Sequence, residues 1–117
     1  MSMSGELLKD AIMKKLDEGI KKIENGKTME GLDDIRKVLG SSWLLDRNPD
    51  ALMVDIALFS LESRIEKLKD NKEFKTKWVK TLRNLAEAFQ SKDTSSIYTN
   101  LKEMVSCTMQ HVPRVEG

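Results

Sequence analysis

An all-α fold, a compact up-and-down helical bundle, is predicted by three features of this sequence. Apolar residues recur three and four apart along most of the chain, the spacing that lines one side of a helix. Val54, Leu58, Leu61, Ile65 and Leu68 form one such run; Phe74, Trp78, Leu82, Leu85 and Phe89 form a second. Cap and turn residues separate the runs, among them Asn25-Gly26 and Asn48-Pro49-Asp50. The composition, 39% hydrophobic and 33% charged over 117 residues, is that of a single globular domain. The expected architecture is four main helices with an extra short helix or turn at one edge, as one domain over 1–117. Residues 1–4 and 113–117 are expected to fray.

The first helix is expected to start after Ser4 and run to about Glu24, with Leu8, Ile12, Leu16, Ile20 and Ile23 inward. Gly19 sits beside that edge and reads as a tolerated glycine costing ~1 kcal/mol, ahead of a close helix crossing. Asn25-Gly26 suits a left-handed C-terminal cap, and Thr28 can cap the second helix. That helix carries Leu32, Ile35 and Leu39 and is expected to stop at Gly40. Its short connector makes it the antiparallel neighbour of the first. Trp43, Leu44 and Leu45 then need burial, as a short helical turn over one end of the core.

Asn48-Pro49-Asp50 is the clearest punctuation: a cap, a proline with φ preset for the first helical position, and an acid that complements the helix dipole. The third helix should run from there to about Lys69, roughly 30 Å. Its first half is apolar on two sides, because Leu52, Ile56 and Phe59 lie roughly opposite Val54, Leu58 and Leu61. A helix of that kind contacts neighbours on both sides and is expected at the centre of the bundle. Asp70 to Glu73 has capping-box spacing for a fourth helix ending near Ser91. Asp93 or Thr94 caps a fifth, carrying Ile97, Leu101, Met104 and Val105 and ending before Pro113.

Composition argues against several functions. Twenty basic residues against nineteen acidic ones leave a net charge of +1, so no global field draws nucleic acid, anionic lipid or acidic substrates. A single cysteine, Cys107, excludes an internal disulfide and a cysteine-only zinc site. Met1 to Lys9 has no signal-peptide pattern, and no apolar run approaches the ~20 residues that span a bilayer. A cytoplasmic location without membrane association is the expectation.

Candidate chemistry is sparse. Glu103, Cys107 and His111 recur four apart, which aligns three potential zinc or iron ligands on one helical face. The plainer reading is a histidine suited to a helix C-terminus and a small buried thiol, with no second histidine to complete a set. Asp55, Glu62 and Glu66 form an acidic stripe on the third helix. Such a stripe can bind a divalent metal or supply acid and base, yet the Glu-x-x-His pattern of di-iron bundles is absent. It reads as the solvated strip between packed faces, with Asp55 the only charge between Ala51 and Leu61.

Basic residues outnumber acidic ones between Arg64 and Arg83, and Lys72, Lys75, Lys77, Lys80 and Arg83 crowd one helix. This patch is the one that could track a phosphate backbone. Phe74 and Trp78 belong to the apolar seam, so no aromatic remains on the basic face to stack a base. Glu73 and Glu87 lie within i,i+4 reach of Lys77 and Arg83, which favours a self-paired solvated face. Nucleophilic catalysis lacks an orienting set, the glycines form no phosphate-cradling loop, and no cofactor is implied.

The expectation is a non-catalytic protein–protein interaction or self-association module, presenting Leu52, Ile56 and Phe59 to a protein partner or a second copy. The alternative is a nucleic-acid-binding accessory protein using Lys72, Lys75, Lys80 and Arg83. An enzyme working through the carboxylate stripe has the least behind it.

Overall fold

Five helices of similar length pack so that each lies principally against two others. The computed structural model describes residues 3–111, with side chains from residue 10 onward. The helices are α1 (Met3–Glu24), α2 (Thr28–Asp46), α3 (Pro49–Leu68), α4 (Lys72–Ser91) and α5 (Thr94–Gln110). The packed pairs are α1 with α2, α2 with α3, α3 with α5, α5 with α4, and α4 with α1. The five therefore close into a ring around one core.

Short connectors reverse the chain after each helix, giving the expected up-and-down course. The ring has an odd number of members, so one neighbouring pair must run parallel. That pair is α3 and α5: Thr94 at the start of α5 donates a hydrogen bond to Asp50 in the first turn of α3, 3.1 Å. At the opposite end Phe74, near the start of α4, meets His111 just past α5, with ring centroids 5.7 Å apart.

Local chemistry explains the helix ends. Gly26, at φ 91°, takes the left-handed turn after α1, and the Lys27 amide donates to the Lys22 carbonyl at 2.8 Å. The Asn48 side chain accepts from the Asp50 amide at 3.0 Å, with Pro49 as the first helical residue. Asp93 caps α5 by accepting from the Ser96 amide at 3.1 Å. For α4 the cap is Asn71, whose side chain accepts from the Phe74 amide at 3.0 Å, and not Asp70. Asn71 is the residue three positions before Phe74, so it reaches the orphan amide there. Thr28 does not cap α2. It is the first helical residue and is buried, with Lys27 in the cap position and no side-chain cap bond.

Besides these two caps, three expectations about helix extent and position need correction. The second helix does not stop at Gly40; it continues to Asp46 and ends where Arg47 turns left-handed at φ 54°. Val38, Leu39 and Ser42 are buried on its inner side, so packing carries the helix through a glycine that only weakens local propensity. Trp43, Leu44 and Leu45 are therefore its last turn, not a separate element, and the bundle has five long helices instead of four and a short one. Nor is α3 central. It packs on α2 and α5 as every other helix packs on two. Finally, α1 begins at Met3, ahead of the expected start. Of the fraying expected at 1–4 and 113–117, Met3 and Ser4 instead belong to α1, while residues 1–2 and 113–117 and the side chain of Leu8 lie outside the described residues.

The core is the predicted seam. Leu58, Ile65, Phe74, Trp78 and Met104 have no solvent exposure. Phe74 and Trp78 stack at 5.6 Å, with ring planes 16° apart. Trp78 is so deeply enclosed that its indole N–H finds no acceptor among the described residues.

The α1–α2 crossing is a close one, and two glycines make it. A Cβ on Gly19 would stand 2.8 Å from Ile35 Cγ1. A Cβ on Gly31 would stand 2.7 Å from Ile23 Cγ1 and closer still to the carbonyl oxygen of Gly19. Gly19 is thus not merely tolerated. With Gly31 it lets two backbones approach where no side chain fits.

Candidate functional site

The third helix divides its circumference in three. Ala51, Val54, Leu58, Leu61, Ile65 and Leu68 are buried in the core. Asp55 and Glu62 turn to α2, where Arg36 Nε donates to Asp55 at 2.8 Å and an Arg36 Nη lies 3.8 Å from Glu62. The remaining sector points away from the ring. Leu52, Ile56, Phe59 and Ser63 follow one another there at spacings of four, three and four.

That outward sector is apolar over two turns. Ile56 is 55% exposed and Phe59 61%, with Leu52 half-buried beside them. The last turn of α2 does not cover them. Trp43 is half-buried, but Leu44 and Leu45 are 71% and 62% exposed. Five helices of this length supply two neighbours for α3, and its second apolar face stays largely open, with only Arg36 of α2 set against one side of Phe59.

Arg36 builds the edge of this surface. Its guanidinium carbon lies 4.8 Å from the centroid of the Phe59 ring while its nitrogens reach Asp55 and Glu62. The two carboxylates hold the guanidinium plane, and the plane in turn supports one side of the ring. Phe59 is thereby held up with its other side open to water. Sequence reasoning missed Arg36, which is 19 residues from Asp55. The available signal was Asp55 itself, a lone charge in an apolar stretch that requires a cation from a neighbouring helix. The acidic stripe is thus two carboxylates engaged by Arg36 and one, Glu66, exposed to solvent.

The basic helix divides differently. Arg83 reaches across to α1, 3.2 Å from Asp17 and also bonded to Glu24. Lys77 pairs with Glu73 along the helix at 3.2 Å, as the spacing predicts, whereas Glu87 does not engage Arg83. Lys72, Lys75 and Lys80 make no salt bridge among the described residues. The four expected phosphate contacts are therefore three free lysines and one arginine that ties α4 to α1.

Glu103, Cys107 and His111 are not assembled into a ligand set. Cys107 is buried, and that burial pushes its thiol pKa up. Glu103 is exposed. His111 has its Nδ1 2.9 Å from the Cys107 carbonyl oxygen and its ring edge against Phe74. Among the described residues no three histidine, cysteine or acidic side chains group closely enough to hold a metal ion, and no helix is long and apolar enough to cross a membrane.

Ile56 and Phe59 on the outer side of α3, with Leu44 and Leu45 at the end of α2, are among the most exposed large apolar side chains of the described residues. Comparison with known proteins gives no relative: no protein family, no curated protein and no solved structure matches the chain.

Proposed function

We propose that this protein is a non-catalytic association module whose contact surface is the outer side of α3. The observation behind the reading is the pair Ile56 and Phe59, more than half exposed at successive positions on one helix face, with Leu52 beside them. Single exposed apolar side chains are ordinary on protein surfaces; aligned ones on a well-formed helix mark a docking face. Phe59 is moreover held in place by Arg36, so little side-chain entropy is lost when a partner covers it. The basic helix offers weaker support for nucleic-acid binding, because Arg83 is engaged with α1 and Lys77 with Glu73.

Site-specific photo-crosslinking tests this. A photoreactive phenylalanine analogue placed at position 56 should yield defined protein adducts in the native host, with other proteins or between copies of the chain. The same group at position 84, exposed on α4, should not. Equal adducts from both positions, or none from position 56, would reject the outer side of α3 as a contact surface.

A further inference from the structure

We infer that the end of the bundle formed by the α1–α2 turn and the first turns of α4 is a second contact surface, which takes the phosphate backbone of a nucleic acid on Lys27, Lys72 and Lys75. It stands on observations separate from those behind the outer side of α3.

One ion pair fixes the placement. Arg83 is bonded to Glu24, the last residue of α1. Lys72, Lys75, Val79 and Arg83 follow one another at spacings of three, four and four, along one side of α4. Arg83 turns that side to α1, and Val79 is buried on it. Lys75 and Lys72, two and three turns ahead of Arg83, therefore come abreast of the turn that leads from α1 into α2. Lys27 stands exposed in that turn, Lys72 is exposed and Lys75 half-buried.

The fold neutralises the acids of this end and leaves these lysines without partners. Glu24 is bonded to Arg83, Glu30 to Lys22 and Glu73 to Lys77. Around the α3–α4 connector Lys67 and Lys69 balance Glu66 and Asp70. Lys27, Lys72 and Lys75 make no salt bridge among the described residues. The pairs that remove Arg83 and Lys77 from phosphate contact thus also withdraw the acids nearest these three, whose charge stays uncompensated.

Three ammonium groups suit phosphate oxygens as point charges, with no geometry for reading bases. Phe74 and Trp78, the aromatic residues of these turns, are wholly buried, so no ring is offered to stack a base. The contact is to the backbone and independent of sequence. A lipid surface fits less well. Of the exposed large apolar side chains among the described residues, only Met109 lies at this end, which leaves little to insert beneath headgroups.

Fluorescence anisotropy of the full chain with a short labelled DNA duplex, over a salt series, tests this. For three phosphate contacts the affinity should fall roughly 40-fold between 50 and 200 mM salt, and a duplex of unrelated sequence should behave alike. Lys72→Gln with Lys75→Gln should weaken binding at 50 mM salt and reduce the fall to about fourfold; Lys27→Gln alone should leave about tenfold. Lys14→Gln with Lys92→Gln removes the same charge from exposed positions in the first half of α1 and at the close of α4, and should change neither value. Circular dichroism should be the same for every variant. No binding at 50 mM salt, an affinity independent of salt, or an equal loss from the Lys14 and Lys92 pair would overturn the proposal. Binding to vesicles rich in phosphatidylserine, with none to the duplex, would overturn nucleic acid as the ligand and assign the same lysines to lipid headgroups.

Discussion

Three helical glycine or leucine positions show how far a residue's effect depends on what stands opposite it. In an isolated helix a glycine costs ~1 kcal/mol relative to alanine, so Gly→Ala should stabilise wherever the methyl group has room. Gly40 has that room, since a Cβ there would meet nothing within 4 Å. Gly40→Ala should raise stability by about 0.5–1 kcal/mol in urea unfolding. Gly31→Ala should do the reverse and lower it by about 1–3 kcal/mol, because the new methyl would strike the α1 backbone and Ile23. If both variants shifted the midpoint the same way, the close α1–α2 crossing would be wrong. Leu58, with no exposure at all, sits where truncation leaves a cavity, and Leu58→Ala should cost about 2–5 kcal/mol. Burial of Trp78 offers an intrinsic probe for these melts, as its emission should shift to longer wavelength on unfolding.

Between elements, ion pairs link the helices that the apolar seam brings together. Hydrogen bonds from Lys21 and Arg83 hold the Asp17 carboxyl below the usual carboxylate range, and Lys22, 2.6 Å away, does the same for Asp34. On α5 the Ser96 side chain and amide lower Asp93. A carboxylate whose pKa is lower folded than unfolded stabilises fully above the unfolded value, ~4, and loses that contribution as pH falls through the folded value. Stability should therefore be flat between pH 5 and 7 on account of these groups and decline below ~4. Combining Asp17→Asn with Asp34→Asn should flatten the acid limb of the urea midpoint against pH. An unchanged acid limb would show that these pairs do not couple α1 to its neighbours. All three carboxylates are substantially open to solvent, so the effect should also shrink as salt is raised.

Over the whole molecule, the helices were legible in the sequence because the 3.6-residue period and the caps act locally. Asn48-Pro49, Asp93 and Gly26 each need only a few neighbouring residues to have their effect. What required the structure was non-local. The Gly19–Gly31 crossing joins residues on either side of a turn, and the extension of α2 past Gly40 is imposed by burial of Val38, Leu39 and Ser42. The closing order of the ring, with α3 beside α5 instead of α4, carries no local signal either. The two-faced pattern of α3 was readable, but its meaning inverts with topology: a central helix would have buried Ile56 and Phe59, and a ring member exposes them. Exposure predicts that the apolar residues on the outer side contribute little to folding. Ile56→Glu should therefore leave the unfolding midpoint within about 0.5 kcal/mol of wild type, against the several kcal/mol expected at Leu58 only two residues along. Equilibrium urea unfolding of the two variants side by side, well below any dimerisation range, measures the contrast. A large loss at position 56 would place that side chain in the core, and α3 would then need a third neighbour that the ring does not provide.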